Sequence, residues 1–88
     1  MTIESVKRNL AEEYKVYCEM YFEAEFELRE AVATKADNIE ELKKVYQSAN
    51  LQHKAAHSML YVSRLFTMDE MNEIAEKAED RAYKTIFG

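Results

Sequence analysis

The near absence of chain-breaking residues is the feature that most limits how this chain can fold. Its 88 residues contain no proline, and the only glycine is Gly88 at the end. Proline and glycine are the residues that most disfavour a helix interior, so a chain without them favours long, uninterrupted helices. Hydrophobic residues make up 48% of the sequence, which is enough for a core and argues against disorder. We therefore expect an all-α fold.

Apolar side chains recur at steps of three and four residues in three segments, which predicts three amphipathic helices. We place them at residues 3–34, 39–66 and 68–86, within one helical domain that spans residues 1–88. Because the connection at residues 35–38 is short, the first two helices should form a long antiparallel hairpin. The shorter third helix completes a three-helix bundle, which we expect to be oligomeric.

Capping residues predict where the helices start, and the apolar spacing predicts their inner faces. Thr2 can cap the first helix, Asp37 or Asn38 can cap the second, and Thr67 with Glu70 has the form of a capping box before the third. The residues expected to face inward are Ile3, Leu10, Tyr14, Tyr17, Tyr21, Ala24, Leu28 and Ala31 on the first helix, Leu42, Tyr46, Ala49, His53, Ala56, Leu60 and Ser63 on the second, and Met71, Ile74, Ala75, Ala78, Ala82 and Ile86 on the third.

The chain carries more apolar surface than three helices can cover. A second stripe on the second helix lies about 160° from the inner one, and one such stripe can receive the third helix. Its members are Leu51, Ala55, Met59, Val62 and Phe66. We assign the remaining apolar surface, Val16, Met20, Phe22 and Phe26, to contact with another copy of the chain or with a partner. Aromatic side chains scattered over a monomer surface are the alternative.

Charge is unevenly distributed along the chain, whose net charge is −5. Five carboxylates project within about 80° of one another on the first helix and form an acidic ridge: Glu12, Glu19, Glu23, Glu27 and Glu30. Such a ridge is either a solvated face or a docking site for a protein with a basic surface. Like charges at i, i+4 destabilise a helix, and Glu19, Glu23 and Glu27 form such a series. A basic partner would relieve their repulsion. The same polarity weighs against nucleic-acid binding.

The second helix has the opposite character, since no acid occurs between Leu42 and Met68. Its basic and polar side chains could pair with the acidic helices beside it. Alternatively, an oligomer could use them to hold a small phosphate-bearing ligand. The residues in question are Lys43, Lys44, Lys54, His57, Tyr61 and Arg64.

One cluster could carry metal chemistry. If residue i of the first helix faces about residue 71 − i of the second, then Cys18, His53 and His57 lie near Tyr14 and Tyr17 at mid-hairpin. A layer of mutually satisfied tyrosines and histidines is the favoured interpretation, so we expect no bound metal and no cofactor. Phosphate loops and nucleophile elbows need glycines that this chain lacks, and we expect no enzymatic activity.

The remaining expectations concern compartment and role. A lone cysteine, the lack of an apolar leader in residues 1–10 and the lack of a long apolar run predict a cytoplasmic protein that does not enter a membrane. Apolar stripes beside a carboxylate ridge predict a protein-interaction module that modulates, by inhibition, a partner protein. By analogy, small acidic chains of this kind occur as accessory or virus-encoded inhibitors.

Overall fold

The first helix is the central element of the fold, and the other two pack along it. The computed structural model describes residues 2–88, which form α1 (Ile3–Thr34), α2 (Ile39–Ser63) and α3 (Met68–Phe87). α2 packs on one side of α1 and α3 on another, whereas α2 and α3 make only slight direct contact. The result is an all-α bundle measuring 49 × 24 × 21 Å. This confirms the predicted helical class and the three helices.

The contacts give the direction of each helix. Tyr14 meets His57 and Tyr21 meets Tyr46, with ring centroids 6.1 and 5.5 Å apart, so α2 runs antiparallel to α1. Lys7 pairs with Glu70 at the start of α3, at 3.0 Å. Near the end of α3, Phe87 lies 5.6 Å from Phe26. α3 therefore runs parallel to α1 and covers roughly its first three-quarters.

Side-chain caps fix two of the three helix starts. The Ser5 backbone N–H donates to Thr2 Oγ1 at 3.1 Å. At α3 the Glu70 N–H donates to Thr67 Oγ1 at 3.1 Å, and the Thr67 N–H donates to Glu70 Oε1 at 3.0 Å. This reciprocal capping box is the one predicted from the sequence. Asn38 occupies the cap position of α2 but makes no side-chain cap hydrogen bond.

The end of α2 differs from the prediction, because the helix stops at Ser63 rather than at residue 66. Arg64 adopts a left-handed conformation with φ 59°, and its N–H donates to the Tyr61 carbonyl at 3.3 Å. The Ser63 hydroxyl donates to the Leu60 carbonyl at 2.7 Å and accepts from the Leu65 N–H at 3.3 Å. The extended backbone that Thr67 needs as a cap requires the chain to leave α2 a few residues earlier.

The core follows the predicted inner faces of all three helices. Its centre comprises Tyr14, Cys18, Ala56, Leu60, Met71 and Ala78, all buried. Cys18, Ala78 and Ala82 are fully covered, and the small side chains of α3 let it approach α1 closely. Every other residue predicted to face inward is at least partly buried except Ile3, which is 72% exposed.

The stripe that receives α3 lies on α1. Phe22 packs against the core, and Phe26 is only 8% exposed because Tyr83 and Phe87 cover it. Assigning Phe22 and Phe26 to an uncovered surface was therefore wrong: α3 follows the line of Cys18, Phe22 and Phe26 along α1. Leu51, Ala55, Met59 and Val62 of the extra stripe are left exposed instead, whereas Phe66 lies beyond the end of α2 and packs against the core.

Among residues 2–88, no helix is both long enough and apolar enough to cross a membrane.

Candidate partner-binding face

A continuous groove follows the α1–α2 hairpin on the side that α3 leaves uncovered. At the end near the second turn it is a recess of about 180 Å³. Towards the first turn it opens into a wider trough of about 530 Å³, and Gln52 lines both parts. The groove extends from Leu10 to Glu27 on α1, a length of about 26 Å. We call the groove and its rims the open face.

The floor and the α2 rim of the open face are mainly apolar. Tyr17, Met20 and Ala24 contribute from α1, and Val45, Ala49, Ala56 and Met59 from α2. Side chains that a core would normally cover remain exposed along the rim: Leu51 is 68% exposed, Met59 59% and Val62 74%. Of the apolar surface predicted on α1, Val16 and Met20 do lie here, about half exposed. An apolar surface of this continuity is typical of an association site.

Carboxylates form the α1 rim of the open face. Glu13 lines the recess, and Glu23 and Glu27 line the trough. None of these three forms an ion pair with another of residues 2–88. Partial burial, with the neighbouring charges of Glu19 and Glu27, raises the pKa of Glu23 above its usual range. The rim therefore carries carboxylates that form no ion pair among residues 2–88, and Lys44 of α2 lies across the trough from two of them.

The structure divides the predicted acidic ridge into two parts. Glu12 pairs with Lys15 at 3.8 Å, and Glu19 hydrogen-bonds Arg81 of α3. These two carboxylates are engaged within the chain, and Glu19 helps to hold α3 in place. Within residues 2–88, Glu23, Glu27 and Glu30 make no such pair, so the half of the ridge nearer the first turn is the part available to a partner.

The basic residues of α2 do not converge on one point. Lys43 is engaged by Glu40 at 3.2 Å, and Arg64 forms the cap at the far end of the helix. The 21 residues between them correspond to about 32 Å of helix. Lys54 and Tyr61 are exposed between these ends, while His57 lies against Tyr14. Lys44 alone lies in the groove, opposite Glu23 and Glu27.

The tyrosines and histidines predicted at mid-hairpin lie together, but their rings stack: among residues 2–88, no tyrosine hydroxyl forms the predicted hydrogen bond to a histidine nitrogen. His53 stacks on Tyr14 and Tyr21, at centroid distances of 5.8 and 4.8 Å. The hydroxyls of Tyr21 and Tyr46 share a hydrogen bond of 3.2 Å. Tyr21 takes the place predicted for Tyr17, which points into the groove, because residues 14 and 21 are seven apart and lie on the same helix face. Burial lowers the pKa of His53.

The candidate metal ligands are not brought together. Cys18 lies in the core, beside Tyr14 and towards α3, and among residues 2–88 no three His, Cys, Asp or Glu side chains form a group able to hold a metal ion. Burial raises the pKa of the Cys18 thiol to about 11. Since the thiolate is the reactive form of cysteine, Cys18 is a packing residue at neutral pH.

The open face contains features that sequence reasoning missed. The apolar stripe on α2 was predicted, but the groove beside it was not. The groove depends on Ala24 and Ala49, which were predicted only to face the core. Small side chains at both positions keep the trough wide, and paired small residues on facing helices are the signal that could have indicated it.

Comparisons with known proteins gave no match. No protein-family model matches the chain, and neither the curated proteins nor the solved structures yield a similar sequence or fold.

Proposed function

We propose that this protein is an interaction module that binds an amphipathic helix of a partner protein along the open face. The single observation that carries the proposal is the coincidence of exposed apolar side chains, Met59 in the groove and Leu51 and Val62 beside it on α2, with a rim of carboxylates that form no ion pair. A helix laid in a groove between two helices buries its apolar side and keeps its flanks at the rims.

The partner's chemistry follows from the two rims. An apolar stripe on the partner would cover Met20, Val45 and Met59, and lysine or arginine on one flank would approach Glu23 and Glu27. A cation there would counteract the burial and the like charges that raise the pKa of Glu23, and so it would lower that pKa towards normal and favour the charged form. By holding a helix that the partner uses elsewhere, the module would modulate the partner, in the simplest case by inhibition.

Designed peptides test this proposal directly. A helical peptide of about 18 residues matches the groove length. One version carries a leucine and alanine stripe flanked by lysines, and its counterpart has every lysine replaced by glutamate. We expect the lysine peptide to bind the wild type, measured by isothermal titration calorimetry, and the glutamate peptide to bind at least about tenfold more weakly. This preference should shrink as salt concentration rises.

Matched variants locate the site. The pair Glu23→Lys and Glu27→Lys should weaken lysine-peptide binding at least about tenfold. The control pair Glu76→Lys and Asp80→Lys makes the same charge change at the same spacing on exposed positions of α3, and it should change binding little. Equal affinity for both peptides, or an equal effect of both variant pairs, would contradict the proposal. So would a lack of binding by both peptides.

The phosphate-ligand alternative receives no comparable support. Its basic residues are spread along α2 rather than gathered in a pocket, and the one that lies in the groove, Lys44, faces two glutamates.

A further inference from the structure

The exposed stripe of α2 borders the groove and is continuous with it. We define the outer stripe as Ser48, Leu51, Ala55, Met59 and Val62, which follow one another at steps of three or four residues. These residues lie within about 80° on the helix surface. Ser48 also lines the trough, and Ala55 and Met59 line the recess. α2 thus presents an apolar stripe directly beside a groove that is suited to receive one.

α2 also has the charge that the groove favours in an occupant. No acid occurs between Leu42 and Met68, whereas four bases do: Lys43, Lys44, Lys54 and Arg64. Beyond its first turn, which holds Glu40 and Glu41, α2 has an apolar stripe, three lysines and no acid, and this charge complements the carboxylate rim of α1. The chain therefore contains such a helix itself, exposed along the same face.

We infer that a second copy of this chain occupies the open face, with α2 of each copy lying against the α1–α2 groove of the other. The inference rests on the proposed function, because it names one occupant of the same site. The outer stripes of the two copies would meet at the centre, with Ala55 permitting close approach. Each copy uses the same surface, as an isologous dimer requires.

The surface area of the monomer agrees with this assignment. A compact monomer of 10.4 kDa is expected to expose about 5,400 Å², whereas this chain exposes 6365 Å². The excess of about 1,000 Å² is comparable to the roughly 800 Å² that each partner buries in a standard interface. The chain therefore exposes enough surface, beyond that of a compact monomer, to supply one side of a standard interface.

Sedimentation equilibrium of the full chain tests the inference. We expect a mass of twice 10.4 kDa at sub-millimolar concentration, dissociating on dilution. Met59→Glu should raise the dimer dissociation constant at least about tenfold, because it places a charge at the centre of the interface. Tyr61→Glu is the matched control: Tyr61 is 66% exposed on the same helix, about 160° away from Met59, and the dimer should persist.

Circular dichroism checks that each variant keeps its helical content, and Val62→Glu serves as a second variant if Met59→Glu does not fold. A monomeric wild type throughout the concentration range, or equal weakening by Met59→Glu and Tyr61→Glu, overturns the inference.

The two proposals fail in different ways. If the wild type stays monomeric and the lysine peptide binds, the dimer is wrong and the peptide-docking function stands. If the wild type dimerises and neither peptide binds or dissociates the dimer, docking of a heterologous helix is wrong and the self-association stands. If the lysine peptide converts the dimer into a peptide-bound monomer, both use the same face.

Discussion

At the scale of single residues, His53 shows how the hairpin places a titratable group among aromatic rings. Its imidazole stacks between Tyr14 and Tyr21 and is partly buried, and this burial lowers its pKa. The unfolded chain, in which His53 is solvated, therefore binds a proton at higher pH than the folded chain does. His53 contributes its full stability above its ordinary pKa of about 6.5, and that contribution is lost as the pH falls below it.

We expect His53→Phe to reduce the loss of stability that accompanies acidification from about pH 7.5 to 5.5. Phenylalanine keeps a ring between the two tyrosines and removes the titration. Urea denaturation at several pH values measures the effect. His57→Phe, one turn along α2, is the control, because it leaves His53 in place and should retain most of the drop. Identical pH dependence in the wild type and in His53→Phe would contradict this account.

At the scale of the elements, local sequence signals determine where helices begin more clearly than where they end. The capping boxes and turn residues of the chain act over three or four positions, so Thr2 and the Thr67–Glu70 pair can be identified without tertiary information. The end of α2 is different, because neither glycine nor proline marks it and apolar residues continue through Phe66. Its position depends on Arg64 adopting a left-handed conformation.

Replacing Thr67 with alanine should cost about 1 kcal/mol of unfolding free energy, because the first turn of α3 loses an N-cap acceptor. Thr85→Ala is the matched control, since the Thr85 hydroxyl donates to the Arg81 carbonyl at 2.9 Å within the same helix and caps nothing. That change should be neutral or slightly stabilising, because alanine favours the helix interior. Urea denaturation compares the two, and equal effects would show that the cap contributes little.

Which stripe meets which helix was not predictable from the sequence, although the stripes themselves were. α1 and α2 each carry a second apolar row, and periodicity alone gives no reason to dock α3 on one rather than the other. The structure places α3 on Cys18, Phe22 and Phe26, which bury more aromatic surface than Leu51, Ala55 and Met59 could. The choice therefore depends on packing among three helices, and with it the location of the open face.

At the scale of the whole molecule, the two ends of the bundle differ in how well they are supported. Near the second turn, α1 has α2 on one side and α3 on the other. Beyond Phe26, α3 has ended, and the hairpin continues as two helices alone to the turn at residues 35–38. Two helices bury less apolar surface per residue than three, so the first-turn end should open more readily.

Hydrogen exchange measured by mass spectrometry should show this gradient. We expect backbone amides in residues 29–45 to exchange faster than those in residues 10–25 and 49–60. In residues 29–45 each helix of the hairpin packs against only one other helix. The comparison within α2 serves as the control, because it contrasts two halves of the same helix. Equal protection along the hairpin would mean that the two-helix end receives support from elsewhere.

The central position of α1 has a consequence for how this sequence can change over time. α2 and α3 pack on separate sides of α1 and meet each other only slightly, and the α1 rim of the open face lies on a side that α3 leaves uncovered. Substitutions on the rim that carries Glu23 and Glu27 can therefore accumulate without disturbing the Phe22–Phe26 side that holds α3. Related sequences could therefore differ in binding preference while keeping the same fold, because the residues that contact a partner and those that hold α3 lie on different sides of α1.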